Sequence, residues 1–459
     1  MVDEHRQRPL KAGSPSTTSK FKIGEVGPWE ITVPHTVYPP REDTSLLGRA
    51  LLRLSDHCGI ATEIGCGSGI LSILLASMGW NVAACDVNPF AVAAARGNVE
   101  KAGFADVVSV EEGGPGEPGW RLQDGVTLVV WNLPYLDPPE HDGVSLEPIE
   151  EASVSDIPGG WSNSLLKIMG DEQINPNCLI VLLHRTDPDS CSKPVSWIRN
   201  GWSCRRLDSM RLGDERLEIL SYWRPAAGKS ANVMDECEST MDEAKRLTGG
   251  GWQRVLSLSQ TSGRGRRGSS WHTQEEGMAC TWILSAECLK RHSSGLIQTA
   301  IGAAVSDALG CFVKWPNDLV SEDGRKLGGV LVEGSSADDG IRVGIGLNRQ
   351  GGVVDGESVA GWNEFIGEKS VFEVFEILDP VLSSLFEEHP LAPHIEGDEL
   401  VALSWKSLSR SLSTGVRLKF DRKPLRAVGL SQEGHLLTES GGTVVKIDDI
   451  SGLGWRPIS

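Results

Sequence analysis

Between residues 60 and 132 the chain repeats one unit: a short apolar run, a turn, then a helical stretch. "IATEIGCGSG" is an apolar run closed by glycines, and "ILSILLASMG" follows with helical spacing and a glycine stop. "WNVAACDVN" is strand-like, "PFAVAAARGNVEKAG" is an Ala-rich helix opened by Pro89, and "GVTLVVWNLPY" is a buried strand. Strands separated by helices pair in parallel through crossovers. This order therefore predicts a doubly wound, mostly parallel α/β sheet. "CLIVLLH" and "RLEILSYW" supply later strands.

Ligands of such a sheet bind at the carboxyl ends of its strands. Glu63, Gly65, Gly67 and Gly69 form the first strand-to-helix turn, where glycine lets a ligand approach the backbone closely. The spacing is E-x-G-x-G-x-G, not the G-x-G-x-x-G of dinucleotide enzymes. Asp86 ends the second strand, 21 positions after Gly65, where a carboxylate can take both hydroxyls of a ribose. "NLPY", Asn132 to Tyr135, ends the fourth.

The pattern changes after "RPAAGKSAN", residues 224–232, a short polar linker. Ser239-Thr240 before an acidic helical run is an N-cap signature. "WQRVLSLSQTS" and "MACTWILSA" are strands, and "GLIQTAIGAAVSDALG" is a helix ending at Gly310. "FVKWPNDLVSEDGRKLGGVLVEG" is a hairpin turning at Asp323-Gly324, and "IRVGIGLN" is a further strand. These elements predict an α+β domain. Its most unusual stretch is "GRGRRGSSW", residues 263–271, with three arginines on a glycine-rich loop. A nucleic-acid patch, a small-molecule phosphate site and a solvated basic turn all fit that loop alone. The formal net charge of -18 argues against broad nucleic-acid binding.

At 459 residues, two or three domains are expected. No apolar run reaches the ~18 residues of a membrane span, and the polar N-terminus lacks a signal core, so a cytoplasmic protein is expected. Ten cysteines without a C-x-x-C pair read as reduced thiols. His389 and His394 lie in a proline-broken loop that gives little support to zinc, and no metal site is expected.

"NLPY" resembles the [N/D]-P-P-[Y/F] motif of amino-group methyltransferases that use S-adenosylmethionine, with Leu133 at the first proline. "VYPPREDTSLL", residues 37–47, resembles a segment of HemK-type methyltransferases of the archaeal and eukaryotic branch. With "EIGCGSG" and "DVNPFAV", that resemblance covers residues 30–224. It implies a Rossmann-like class I fold with Thr44, Glu63, Gly65, Gly67, Asp86, Asn132 and, in a loose alignment, Glu112 at the cofactor. It also implies Asn132 and Tyr135 at the methyl acceptor. The implied substrate is the Gly-Gly-Gln glutamine of a class-1 peptide release factor, with a small zinc-binding activator subunit as a further partner. Transfer to nucleic-acid adenine and a degenerate binding module are the alternatives.

"SQTSGRGRRGSSW", "KWPNDL", "RKLGGVLVE" and "GIGLN", in this order, resemble the biotin protein ligase family over residues 231–459. The resemblance implies ATP with magnesium, biotin, a biotinyl-adenylate and a biotin carboxyl carrier domain as acceptor. It implies Arg266 and Lys326 as catalytic groups. Ser239, Thr240, Met241, Gln260, Arg264, Gly265 and Asn317 would bind substrate, with Trp271 and Trp315 as apolar walls. The arginine loop would be mobile without ligand and fold over the adenylate. A lipoate ligase is the alternative. No operator DNA is expected, because the methyltransferase stands where repressor relatives carry a helix-turn-helix. The expected organisation is a flexible tail (1–20), a methyltransferase domain (21–226), a ligase catalytic domain (231–400) and a small SH3-like β-barrel (401–459).

Overall fold

The computed structural model describes residues 16–55, 58–136, 155–170, 174–247, 250–265, 268, 270–271, 276–334, 340–354, 356–420, 423–448, 450 and 453–456. It forms two compact units: Met1–Trp223 with His389–Pro393, and Arg224–Glu388 with His394–Ser459.

The first unit opens with a hairpin of β1 (Ser16–Ile23) and β2 (Val26–Pro34), followed by helix α1 (Glu42–Leu51). Ser16 to Lys20 pair with Pro34 to Glu30, so the last five residues of the expected tail are strand instead. Alternation then builds β3 (Ile60–Ile64), α2 (Ile70–Met78), β4 (Asn81–Asp86), α3 (Pro89–Ala102), β5 (Val108–Glu112) and β6 (Leu128–Asn132). After β7 (Leu179–Asp187), β8 (Ser203–Leu212) and β9 (Glu215–Trp223) close a seven-stranded sheet in the order β5-β4-β3-β6-β7-β9-β8. The first five are parallel and the last two antiparallel. Leu128–Val130 and Leu179–Leu183 are fully buried, as central parallel strands require. Helix α3 starts where the Asn88 side chain accepts from the Phe90 amide beside Pro89, and ends at left-handed Gly103.

Two buried histidines sit in this unit. His184 is fully buried on β7. Its Nδ1 lies 2.8 Å from the Ser192 carbonyl and its Nε2 2.9 Å from the Tyr222 hydroxyl, so Nδ1 carries the proton. His389 accepts from the Leu391 amide at Nδ1 and donates from Nε2 to the Asn177 carbonyl. Leu391 and Ala392 join the same apolar core. Burial lowers both histidines to about 4.

In the second unit, β10 (Asn232–Met234), β11 (Gln253–Ser257), β14 (Met278–Ser285), β15 (Phe312–Lys314), β16 (Asp318–Val320), β17 (Lys326–Glu333) and β18 (Gly340–Leu347) form the main sheet. The order is β10-β11-β14-β18-β17-β16-β15, antiparallel except for β10. The expected turn joins β16 to β17 with Gly324 left-handed. Helix Ser294–Leu309 is capped by the Ser293 hydroxyl and stopped by Gly310, also as expected. Asp379, buried in helix Val371–Phe386, accepts the indole N–H of both Trp252 (2.8 Å) and Trp282 (2.9 Å) and pairs with Arg254 at 3.1 Å. All three partners are needed, because a buried carboxylate without them is costly.

Helix Gly397–Ser413 crosses the expected boundary at 400–401. Its Arg410 donates to the Cys311 carbonyl and the Ser306 hydroxyl, so it packs on the catalytic body. The C-terminal antiparallel sheet begins only at β21 (Arg417–Phe420). It continues through β22 (Lys423–Leu430), β23 (Leu436–Ser440), β24 (Thr443–Ile447) and β25 (Leu453–Arg456), in the order β24-β23-β22-β21-β25.

Stability of the first unit should fall as pH drops through 6.5 towards 4. There the unfolded chain takes up protons at His184 and His389 that the folded chain refuses. Glu63, which burial raises to about 8, opposes one of them above pH 4.5. His389→Gln keeps the donor to Asn177 and removes the proton. In urea melts its acid limb between pH 5 and 6.5 should be flatter by about 1 kcal/mol per pH unit.

Candidate active sites

Strand order reverses at β3, with β4 on one side and β6 on the other, and a cavity of about 370 Å³ opens at their carboxyl ends. Thr44, Glu63, Gly65, Gly67, Asp86 and Asn132 all line it. Gly65 and Gly67 have φ of +66° and +53°, and a Cβ on Gly65 would sit 3.2 Å from the Trp131 indole nitrogen. Asp86 is 9% exposed; its two oxygens accept the Gly67 and Asn88 amides, both at 2.9 Å. A carboxylate accepts about four hydrogen bonds, so capacity for a ribose diol remains. Burial raises the Asp86 carboxyl while those two amides pull it back. Glu63 is buried beneath the turn, takes the Ser72 hydroxyl proton, and is pushed by burial up to about 8. It is thus predominantly neutral at pH 7 and acts as packing below the glycines.

Asn132 ends β6. Its Nδ2 donates to Asp43 Oδ2 at 3.0 Å, and its Oδ1 is buried with no partner among the described residues. This is the acceptor that the sequence reading assigned to a target nitrogen. Two assigned residues lie elsewhere. Tyr135 packs against the apolar core, hydrogen-bonds Tyr38, and does not line the cavity. Glu112 is exposed and lines a separate cavity; Gly113 and Gly114, just after it, form the wall instead. Asp43, Trp131 and Trp161 escaped the sequence reading. Asp43 lies in the quoted "REDT", whereas Trp161 follows a long connection without a motif.

In the second unit, a cavity of about 260 Å³ is lined by Thr240, Met241, Gln260, Arg264, Gly265, Asn317 and Lys326, with Trp271 over it. A two-residue ladder between β12 (Gly263–Arg264) and β13 (Ser270–Trp271) pins the base of the basic loop. Arg266 and Arg267 lie outside the described residues. Gln260 Oε1 accepts the Thr240 amide (2.9 Å) and hydroxyl (3.2 Å), and Thr281 donates to Thr240. Ser239 is at the N-cap as expected, but its buried hydroxyl has no partner among the described residues and does not line the cavity. Both described cations are held by acids: Arg264 by Asp242 (3.0 Å) and Glu333 (3.4 Å), Lys326 by Asp318 (2.8 Å). Lys326 Nζ also lies 5.7 Å from the Trp271 ring centre. Trp315, expected as a wall, is instead buried against the C-terminal sheet and donates to the Gly434 carbonyl at 2.9 Å.

Residues 252–348 match the model of the biotin/lipoate A/B protein ligase family, and residues 46–132 match that of ribosomal protein L11 methyltransferase (PrmA). The ligase-family match lies in the second unit and the methyltransferase match in the first. It is 34% identical over 133 residues to a biotin–[acetyl-CoA-carboxylase] ligase of Paracoccus denitrificans, covering 26% of this chain and 54% of that protein. It is 52% identical over 48 residues to a ribosomal protein L11 methyltransferase of Campylobacter fetus, covering 10% of this chain and 18% of that one. The biotin protein ligase of Aquifex aeolicus, solved with biotin and ATP, aligns with 25% identity and a TM-score of 0.40. It covers 50% of this chain and 99% of its own. The chain therefore spans about half of the first ligase relative and under a fifth of the methyltransferase relative.

The PrmA-like match corrects the HemK-type expectation. That expectation turned on residues 37–47, and the match begins at 46. The glycine turn, Asp86 and Asn132 inside the match serve either family. The release-factor substrate and the zinc-binding activator rested on the HemK branch and fall with it.

The ligase-region cavity depends on Gly346, whose added Cβ would lie 2.4–2.8 Å from the Trp271 ring. Gly346→Ala should displace that indole. Binding of biotin, the ligand proposed below for this cavity, should weaken in calorimetry about ten-fold or more, from an overpacking cost of ~1–3 kcal/mol.

Proposed function

We propose that the chain is a bifunctional enzyme. One site joins biotin to a lysine of a biotin carboxyl carrier domain at the expense of ATP. The other transfers a methyl group from S-adenosylmethionine to a protein nitrogen. The observation that carries the first reading is the conjunction of Arg264, Lys326 and Trp271 around one cavity within the ligase-family match. The observation that carries the second is the buried, unpartnered Oδ1 of Asn132, a residue in the wall of the Asp86 cavity.

In the ligase, a biotin carboxylate oxygen bonds to the α-phosphorus of ATP and pyrophosphate leaves. Two anions meet, and fixed cations lower that cost. Lys326 would exchange Asp318 for the biotinyl carboxylate and phosphate, and Arg264 would exchange Asp242. Arginine suits phosphate because its donors form a fork. Arg266 is read as a second adenylate clamp from its motif. Magnesium would enter with the triphosphate, whose oxygens and water suit it. The carrier lysine amine then bonds to the biotinyl carbonyl carbon and AMP leaves. The Trp271 ring excludes water from that anhydride. The C-terminal antiparallel sheet is read as SH3-like.

In the methyltransferase, the acceptor nitrogen takes the methyl carbon as the sulfur–carbon bond breaks. Asp86 would hold the ribose hydroxyls, and Gly65 and Gly67 would admit the amino-acid part of the cofactor. Asn132 Oδ1 and the Leu133 carbonyl would accept N–H protons and aim the nitrogen lone pair at the methyl carbon. The work is orientation.

Single variants should separate the sites. Lys326→Ala should reduce biotinyl-adenylate formation, read by pyrophosphate release, by roughly 100-fold or more. It should leave methyl transfer from labelled S-adenosylmethionine intact. Asn132→Ala should do the reverse, with ribosomal protein L11 as the first acceptor tried. Pyrophosphate release with lipoate in preference to biotin would overturn the ligase reading. Labelling of nucleic acid rather than protein would overturn the acceptor class.

A further inference from the structure

Asp43 is buried at 3% exposure beside the methyltransferase cavity but does not line it. Its Oδ1 accepts the backbone amide of Thr44 at 2.7 Å and the Thr44 hydroxyl at 3.3 Å. Its Oδ2 accepts Nδ2 of Asn132 at 3.0 Å. A carboxylate has no proton to give, so it receives only the N–H₂ end of that amide. The carbonyl end is thereby turned the other way. It is the buried Asn132 Oδ1, which has no partner among the described residues. Burying an acceptor unpaired costs free energy, so a ligand donor there recovers it.

We propose that Asp43 is the positioning residue of the methyl-transfer site. It fixes which end of the Asn132 amide faces the acceptor nitrogen. The site then selects a nitrogen that still carries an N–H, and a nitrogen without one meets an unsatisfied oxygen. This rests on the methyltransferase reading above.

Asp43→Asn is the sharp variant. A neutral amide at 43 has one oxygen for three donors, the Thr44 N–H and hydroxyl and Asn132 Nδ2. The Thr44 amide belongs to the backbone and cannot turn away. Asn132 can rotate, which brings its N–H₂ end to the cavity.

The test needs no acceptor. S-adenosylhomocysteine lacks the methyl group, and sinefungin carries a primary amine where the methylsulfonium stands. Calorimetry on the full chain gives the affinity ratio of the two. Wild type should favour sinefungin roughly ten-fold or more, as for a hydrogen bond to a charged donor. Asp43→Asn and Asn132→Ala should each bring the ratio near one. The exchange Asp43→Asn with Asn132→Asp puts a bare oxygen back towards the cavity and should restore the preference.

If Asp43→Asn leaves the ratio unchanged, or weakens both ligands equally, Asp43 is structural and the inference fails while the methyltransferase reading stands. If the exchange variant folds and does not restore the preference, the inference also fails. If wild type binds neither ligand, the methyltransferase reading itself fails.

Discussion

The reversal of strand order at β3 is the constraint from which the methyl-transfer site follows. β4 pairs on one side of β3 and β6 on the other, and a crevice opens at their carboxyl ends. The glycine turn, Asp86 and Asn132 each end one of those strands, and each therefore reaches the same crevice. Helix α1 brings Thr44 to that crevice and Asp43 behind it, from a part of the chain before the sheet begins. The unit thus draws on six separate stretches for one cavity, and the parallel register fixes the relative heights of those that end β3, β4 and β6.

The ligase site is organised by a different rule. Its sheet is antiparallel, and its cavity lies over a face of β14, β17 and β18 where glycines leave room: Gly329, Gly344 and Gly346. Charge, not topology, sets its state. Arg264 and Lys326 are each neutralised by an acid, so the cavity presents paired charges instead of a bare cationic field. In the reading proposed above, an anionic substrate would enter by exchanging partners with Asp242 and Asp318, and breaking those two pairs is part of the cost of its binding.

Much of this was legible in the sequence, because period and punctuation carry it. The α/β alternation, the helix opened by Pro89, the stop at Gly310 and the Asp323-Gly324 turn are local, and the structure has them where the residues imply. So are the glycine turn, Asp86, Asn132, Arg264 and Lys326. The failures are all long-range. Trp315 reads as a ligand wall from its place in "KWPND", but its environment is decided by strands more than a hundred residues later. Tyr135 and Glu112 sit one turn of chain from the cavity, and one peptide's rotation sends each side chain elsewhere. Helix Gly397–Ser413 runs across the 400–401 position, and Arg410's bonds to Ser306 and Cys311, about a hundred residues earlier, are not written in any local pattern. Asp43 lay inside a quoted motif, yet its meaning depends on Asn132, 89 positions away.

The bond from Trp315 to Gly434 gives the C-terminal sheet a role in the cavity it does not touch with that turn. Gly434 and Gly295 approach so closely that a Cβ on Gly434 would lie 2.5 Å from the Gly295 carbonyl. The turn is thereby seated against the start of helix Ser294–Leu309. Trp315 hangs from that turn, and Asn317 and Asp318 follow it by two and three residues. Inherited changes at Gly434 would therefore be read biochemically as defects of substrate capture, although the altered residue belongs to the appended sheet.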